Sequence, residues 1–176
     1  MSGKKLGILG MGRIGRAVAK RAKGFDMEIH YHNRKRLSPD LENEAIYHEK
    51  VNNLFQNSEF LSINCPGSKD TENLINEDSI KSFPDGVVIA NAARGEVIED
   101  EAMIKAMKNG KVFALGLDVY RGEPTINKKY LELNNLFLLP HLGSATSSTR
   151  IAMGDRAIDN LDIFLNKKTD PIDRVN

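Results

Sequence analysis

Short apolar runs alternate along this chain with segments whose apolar residues recur at helical spacing. Such runs predict strands and such segments predict helices, and their alternation predicts a doubly wound α/β fold, a parallel sheet with helices on both faces. The predicted strands are Leu6 to Leu9, Met27 to His32, Phe60 to Asn64, Val87 to Asn91, Val112 to Val119 and Leu136 to Leu139, with a weaker one at Ala45 to Tyr47. The predicted helices are Ile14 to Lys23, Val51 to Asn57, Ile75 to Phe83, Glu99 to Asn109 and Thr146 to Leu165, with a turn at Ser38 to Asp40.

The last predicted helix carries an apolar stripe formed by Ile151, Ile158, Leu161 and Leu165. A stripe at helical spacing predicts burial, either in the core or against another domain. No stretch between the predicted elements is typical of a linker, so the sequence predicts one domain over residues 1–176.

A glycine turn joins the first predicted strand to the first predicted helix. Gly10, Gly12 and Gly15 form the pattern GxGxxG. Between a strand and a helix, the first glycine permits a tight turn and the second lets the backbone approach a pyrophosphate. The third lets helix and strand pack closely, and the helix N-terminus attracts the anion. The pattern predicts a Rossmann-type dinucleotide site; a purely structural turn is the alternative.

The residues after the second predicted strand bear on the choice of dinucleotide. NAD-specific sites place an Asp or Glu there to hold the ribose 2′-hydroxyl. This chain has Asn33, followed by Arg34, Lys35 and Arg36. A neutral amide does not repel a 2′-phosphate, and arginine donates to phosphate through a planar fork. We therefore expect NADP(H), with NAD(H) as an alternative; a solvated basic loop without a ligand also fits the pattern.

Composition argues against several classes of function. The 176 residues carry a net charge of +1 with both signs interspersed, so neither a nucleic acid nor a membrane is an expected partner. No apolar run reaches the length of a membrane span, and the N-terminus leads into a strand without a signal sequence. The single Cys65 excludes an intrachain disulfide and fits a cytoplasmic location. His30, His32 and His48 lack the spacing of metal ligands, so no metal is expected.

Three polar side chains follow predicted strands, at the sheet edge where parallel sheets bind ligands. They are Arg94, Glu123 and His141. An arginine grips a carboxylate through paired hydrogen bonds. A histidine protonates a carbonyl oxygen as a hydride arrives, and a carboxylate can hold the imidazole in its charged form. This set favours reduction of a 2-oxo acid by a reduced dinucleotide.

Four stretches closely resemble the cofactor-binding domain of the D-isomer-specific 2-hydroxyacid dehydrogenases. They are residues 5–15, 91–95, 116–119 with 122–124, and 139–145, and the resemblance covers essentially the whole chain. Within that family the chain is similar to the glyoxylate/hydroxypyruvate reductase branch, which often prefers NADPH. This second likeness rests on residues 31–37, 65–67 and the ending 173–176.

The resemblance implies a role for each matching residue. Arg94 would bind the substrate, while Glu123 and His141 would form the acid–base pair. The implied cofactor residues are Gly10, Gly12, Arg13, Ile14 and Gly15 at the pyrophosphate, Asn33, Arg34, Lys35 and Arg36 at the adenosine phosphate, Cys65 and Pro66 against the cofactor, and Ala92, Asp118 and Gly143 at the nicotinamide end.

One departure from the family concerns its second domain. Members carry a substrate domain built mainly from residues before the cofactor domain, whereas this chain begins at the first cofactor-domain strand. We expect the substrate domain to be absent, with the helix over residues 146–165 normally in contact with it. Because a closed cleft orients substrate and excludes water, cofactor binding should survive better than turnover. Relatives are typically homodimers, which makes a homodimer a hypothesis here.

The expected function is NADPH-dependent reduction of a small 2-oxo acid, such as glyoxylate or hydroxypyruvate, to the D-2-hydroxy acid. The same chemistry could serve another 2-oxo acid or phosphohydroxypyruvate. A different class of function also stays open, namely a non-catalytic NAD(P)-binding module or a truncated remnant.

Overall fold

Seven parallel strands form one sheet in the computed structural model, which describes residues 1–167 and 169–174. In chain order they are β1 (Lys5–Leu9), β2 (Glu28–His32), β3 (Ile46–Tyr47), β4 (Phe60–Ile63), β5 (Val87–Asn91), β6 (Val112–Leu117) and β7 (Leu136–Leu138). Across the sheet the order is β3-β2-β1-β4-β5-β6-β7, and every pairing is parallel. The order therefore reverses between β1 and β4, which is where doubly wound sheets bind ligands.

Six α-helices accompany these strands within the described residues. They are α1 (Arg13–Lys23), α2 (Pro39–Glu42), α3 (Val51–Gln56), α4 (Glu77–Ser82), α5 (Asp100–Lys108) and α6 (Ser147–Leu165). The chain forms two compact units, Met1–Pro140 and His141–Asn176, and the sheet with α1 to α5 belongs to the first. The prediction of a single domain over residues 1–176 stays a prediction.

Helices cover both faces of the sheet, which confirms the predicted fold class. Ile8 and Leu9 are neighbours on β1 and belong to two different apolar clusters, because adjacent strand residues point to opposite faces. On the face of Ile8, α1 contributes Ala19 to the cluster. On the face of Leu9, α3 contributes Leu54 and α5 contributes Met103. The loops that follow the strands begin at the carboxyl ends of the strands, between these two layers.

The predicted turn at residues 38–40 is wrong, since α2 begins there. Pro39 occupies the start of this helix, and the carboxylates of Asp40 and Glu42 lie in its first turn. Proline at the first helical position is preorganised, and carboxylates interact favourably with the helix N-terminus. Turns and helix starts use the same residue types, so the local pattern did not separate them.

The second unit consists of α6 and the segment that follows it. The Thr146 hydroxyl caps α6 by accepting the N–H of Thr149 at 3.2 Å. Arg156 pairs with the carboxylate of Asp173, and Asn160 donates to the same carboxylate at 2.9 Å. These contacts tie the segment after α6 back to the helix. Of the ending that carries part of the family resemblance, Val175 and Asn176 lie outside the described residues.

The apolar stripe of α6 is exposed. Its four side chains are between 58% and 65% accessible: Ile151, Ile158, Leu161 and Leu165. Helical spacing identifies one apolar face but does not show what covers it. The interpretation of the stripe as core is therefore wrong for the described residues, while its contact with another domain stays a prediction.

Among the described residues, none of the helices combines the length and the apolar character that a bilayer span requires. No three or more His, Cys, Asp or Glu side chains of the described residues gather where they could hold a metal ion.

Candidate functional site

A cleft of about 790 Å³ opens beyond the carboxyl ends of three neighbouring strands, at the reversal of strand order. Its lining includes Leu9 to Gly12 after β1, His32 to Lys35 after β2, and Asn64 to Pro66 after β4. The structure thus brings the glycine turn, the start of the basic segment and Cys65 with Pro66 to one cleft. The sequence predicts that these groups surround one ligand.

The three glycines of the turn differ in what a side chain would meet. Gly10 has φ +95°, and a Cβ there would lie 2.5 Å from the Cys65 amide nitrogen. A Cβ at Gly15 would lie 2.4 Å from the Gly10 carbonyl oxygen. A Cβ at Gly12 would meet no described protein atom within 4 Å. The protein's own packing therefore needs the first and third glycines, whereas the second leaves space beside the backbone, as a pyrophosphate requires.

Asn33 ties the end of β2 to the glycine turn. Its side-chain oxygen accepts the Met11 N–H at 2.6 Å, and the Gly10 N–H donates to the His32 carbonyl at 3.0 Å. On the other side, the Tyr47 hydroxyl donates to the Asn33 carbonyl at 3.3 Å. The position predicted to face the ribose thus also fixes the turn itself.

The three cations after Asn33 have different surroundings. Arg34 and Lys35 are exposed and line the cleft. Arg36 donates from Nε and Nη2 to the two carboxylate oxygens of Glu42, at 2.8 and 3.0 Å. Its guanidinium carbon lies 5.8 Å from the centroid of the Tyr47 ring. Arg36 is therefore held against the protein.

Glu42 is 8% exposed and also accepts the Tyr31 hydroxyl hydrogen bond. The hydrogen bonds from Arg36 and from Tyr31 lower the pKa of Glu42 to about 2. Burial, with help from the bond to Glu42, raises the pKa of Tyr31 to about 12. At neutral pH the cluster is a charged pair beside a neutral phenol. Sequence reasoning missed Tyr31, Glu42 and Tyr47, because they come from three separate elements and no short motif joins them.

Asn91 organises the loop after β5. It is 2% exposed; its oxygen accepts the Ala93 N–H at 3.0 Å, and its nitrogen donates to the Arg94 carbonyl at 2.9 Å. The Arg94 guanidinium donates to the Ala93 carbonyl at 2.6 Å. Ala92 lies inside this loop, and the Asp118 N–H after β6 donates to the Asn91 carbonyl at 3.0 Å. In the sequence, the signal that points to Asn91 is an amide residue at the end of the apolar run of β5.

Two glycines let neighbouring loops touch. A Cβ at Gly67 would lie 2.9 Å from the Arg94 Cγ, and one at Gly95 would lie 2.1 Å from the Tyr120 carbonyl carbon. The Tyr120 N–H in turn donates to the Glu123 carboxylate at 3.0 Å. The loops after β4, β5 and β6 therefore pack against one another, and the Arg94 loop lies against the loop of Glu123.

Cys65, in the loop after β4, lines the cleft and is 8% exposed. Burial raises the pKa of its thiol. The side chain is therefore a neutral, packed group at the cleft.

His141 and Gly143 belong to the second unit. His141 has φ +55°, a left-handed conformation that histidine adopts more readily than most side chains. Glu123 lies in the first unit, so the predicted pairing of Glu123 with His141 stays a prediction.

A family model for the D-isomer specific 2-hydroxyacid dehydrogenase, NAD binding domain, matches residues 1–143. The chain belongs to the D-isomer specific 2-hydroxyacid dehydrogenase family. The family resemblance drawn from the sequence motifs is thereby confirmed, as is the Rossmann-type sheet. The roles of individual residues within this NAD binding domain stay predictions.

Relatives within this 2-hydroxyacid dehydrogenase family include enzymes with named substrates. The chain is 41% identical over 164 residues to the glycerate dehydrogenase of Hyphomicrobium methylovorum, covering 92% of this chain and 51% of the relative. It superimposes on a glyoxylate reductase from Paecilomyes thermophila with a TM-score of 0.92 and 40% identity, covering 98% of this chain and 53% of that one. The chain also superimposes on an NADPH-dependent glyoxylate/hydroxypyruvate reductase from Sinorhizobium meliloti, in complex with NADP and malonate. The TM-score is 0.90 and the identity 31%, covering 97% of this chain and 53% of that one.

The chain spans about half the length of the family members that it matches. Residues 1–143 of that matched span are the part covered by the NAD binding domain model.

Proposed function

We propose that this chain binds NAD(P)H, with a preference for NADPH, and takes part in the reduction of a small 2-oxo acid. Glyoxylate and hydroxypyruvate are the substrates that we favour, giving the D-2-hydroxy acid. The observation that carries the proposal is the glycine turn at the reversal of the sheet, where Gly12 alone leaves its backbone open to a ligand. Such a turn at a helix N-terminus suits a pyrophosphate.

The residues that line the cleft, among them Gly10, Gly12, Cys65 and Pro66, support a dinucleotide as its ligand. In the proposed arrangement Gly10, Gly12, Arg13, Ile14 and Gly15 surround the pyrophosphate, and Cys65 and Pro66 lie against the cofactor. Ala92, Asp118 and Gly143 meet the nicotinamide end. The bound dinucleotide would supply the hydride for the reduction.

A preference for NADPH is supported by charge at the adenosine end. Asn33 is neutral where NAD-specific sites place a carboxylate, and Arg34 and Lys35 line the cleft beside it. The matched relative from Sinorhizobium meliloti is NADPH-dependent. Asn33, Arg34 and Lys35 would thus face the ribose that carries the 2′-phosphate, beside Arg36 in its pair with Glu42.

The substrate would be held and protonated by three side chains. Arg94 would bind the carboxylate of the 2-oxo acid through paired hydrogen bonds. His141 would donate a proton to the carbonyl oxygen, and Glu123 would hold the imidazole in its charged form. Support for Arg94 and Glu123 in one site comes from the contact of their loops through Gly95.

A non-catalytic dinucleotide-binding module is the second candidate function. The observation that favours it is the cleft itself, whose lining residues all lie within the first unit. Such a module would keep the cleft after β1, β2 and β4 but would not turn over substrate by itself.

We also propose that two copies associate in a reducing, cytoplasmic compartment. The exposed apolar side chains of α6 support the association, and a sequence with the single cysteine Cys65 fits a reducing compartment. A single monomeric species in light scattering at high protein concentration would contradict the dimer.

The test is oxidation of NADPH and NADH by the purified chain, first with glyoxylate and then with hydroxypyruvate. Turnover with NADPH that is lost in a His141→Ala variant supports the reductase. No turnover, with NADPH still bound more tightly than NADH, supports the binding module. Absence of both turnover and dinucleotide binding contradicts both candidates.

A further inference from the structure

The basic segment after β2 carries three cations, of which two face the cleft. Arg34 and Lys35 line it, and Arg36 is not among the described residues that do. Within the part of the chain that the structure describes, neither Arg34 nor Lys35 has a side-chain hydrogen bond or ion pair. Their charges are available to an anionic ligand.

Arg36 is engaged on two sides. Its Nε and one terminal nitrogen meet both oxygens of Glu42 in a side-on pair. The Tyr47 ring lies beneath the guanidinium, with the guanidinium carbon 5.8 Å from the ring centroid. A bidentate pair stacked on an aromatic ring uses the planar shape that distinguishes arginine from lysine.

Glu42 is the anchor of this arrangement. Its side chain is 10% exposed, whereas that of Arg36 is 64% exposed. The carboxylate thus lies beneath the surface and depends on Arg36 and Tyr31 for its hydrogen bonds. Moving Arg36 to a phosphate would leave Glu42 with an uncompensated charge, which is unfavourable for a carboxylate withdrawn from water.

The same cluster also closes the segment. Tyr31 accepts the Leu37 N–H at 3.1 Å through the hydroxyl that it donates to Glu42. Tyr47 donates its hydroxyl to the Asn33 carbonyl. Both ends of the segment from Asn33 to Leu37 are therefore fastened by the residues that surround the Arg36–Glu42 pair.

We propose that Glu42 is a specificity-determining residue of the adenosine site, which rests on the dinucleotide function proposed above. By holding Arg36 in a charge-neutral pair, it leaves Arg34 and Lys35 as the two cations that meet the 2′-phosphate. Glu42 thereby limits the preference for NADPH over NADH. Arg36 is a positioning residue that keeps the segment closed.

The experiment measures the dissociation constants of NADPH and NADH by titration of the chain and its variants. Arg34→Met and Lys35→Met each lower the preference for NADPH by about tenfold, since each removes a cation from the phosphate. Glu42→Gln raises that preference by about threefold, because the Arg36 charge is no longer neutralised. The double variant Glu42→Gln with Arg36→Met keeps the net charge, and its preference stays within about threefold of the unsubstituted chain.

The double variant is the decisive arm. A loss of about tenfold or more in NADPH preference, with NADH binding unchanged, would show that Arg36 itself binds the phosphate and would overturn the inference. A lower preference in Glu42→Gln would overturn it as well. If Glu42→Gln does not fold, the NADPH preference of the double variant is compared directly with that of the unsubstituted chain, because the double variant leaves no unpaired charge.

A failure of the proposed function has a different signature. The unsubstituted chain would then bind neither dinucleotide, and the specificity role of Glu42 would fall with it. The thermal midpoint still tests the positioning role of Arg36 in that case. Arg36→Met should lower the midpoint relative to Lys35→Met, and equal midpoints would contradict that role.

Discussion

The Asn33 side-chain oxygen accepts a hydrogen bond from the Met11 amide at 2.6 Å. This contact joins the end of β2 to the turn that follows β1. One side chain therefore holds the glycine turn in place and occupies, as a neutral amide, the position where NAD-specific sites place a carboxylate. The two roles can be separated by substitution.

Asn33→Asp should keep the hydrogen bond to Met11, because a carboxylate oxygen also accepts it. The new charge should repel the 2′-phosphate and shift the binding preference from NADPH towards NADH. Asn33→Ala should lose the bond, lower the free energy of unfolding by about 1 kcal/mol and weaken both dinucleotides. Urea unfolding and nucleotide titration measure these effects. An aspartate variant that retains the NADPH preference would contradict the charge argument.

Gly95 is expected to be essential for the contact between the loops of Arg94 and Glu123. A Cβ at Gly95 would lie 2.1 Å from the Tyr120 carbonyl carbon, so Gly95→Ala must push the loops apart. We expect a loss of about 1–3 kcal/mol in the free energy of unfolding, typical of overpacking.

Gly116→Ala on β6 is the matched control for this substitution, since the nearest atom to its Cβ would be the Ile89 carbonyl oxygen at 4.0 Å. Urea unfolding of the two variants gives the comparison. Equal stabilities of the Gly95 and Gly116 variants would be inconsistent with the tight packing described.

The Arg36–Glu42 pair should contribute to the free energy of unfolding at neutral pH, and this contribution should be lost in acid. The pKa of Glu42 is about 2 in the folded chain, against 4.5 ordinarily. A depressed pKa means that the stabilisation is present above 4.5 and is lost as the pH falls from 4.5 towards 2. The thermal midpoint of the unsubstituted chain should thus exceed that of Glu42→Gln at pH 6, and the gap should narrow towards pH 2.

Glu132→Gln serves as the control for the acid series. The Glu132–Lys108 pair is exposed on both sides, and exposed pairs contribute little. A gap for Glu42→Gln that is constant with pH, or no larger than that of Glu132→Gln, would argue against a stabilising pair.

The sheet was predictable because its signal is local. Buried parallel strands appear as apolar runs, and β5 is found at the predicted bounds Val87–Asn91. The glycine turn was also predictable, since the steric demand at Gly15 comes from the Gly10 carbonyl oxygen within the same strand–turn–helix unit. Family membership followed from motifs at the strand ends.

The surroundings of the basic segment were not predictable in the same way. Arg36 carries the same charge in any loop, and only the folded chain shows that Glu42 from α2 neutralises it. The start of α2 has the residue types of a turn, so the sequence predicts a turn there. The stripe of α6 failed for another reason, because a periodic pattern fixes a face and not its partner.

In the proposed function, a dinucleotide binds at the turn from Gly10 to Gly15. Titration of NADPH into the unsubstituted chain and a Gly12→Val variant tests it most directly, because a Cβ at Gly12 meets no described protein atom within 4 Å and the fold should be kept. We predict an unchanged thermal midpoint together with a rise of at least about tenfold in the dissociation constant. Equal affinity of the two proteins for NADPH, or no binding by the unsubstituted chain, would contradict the claim.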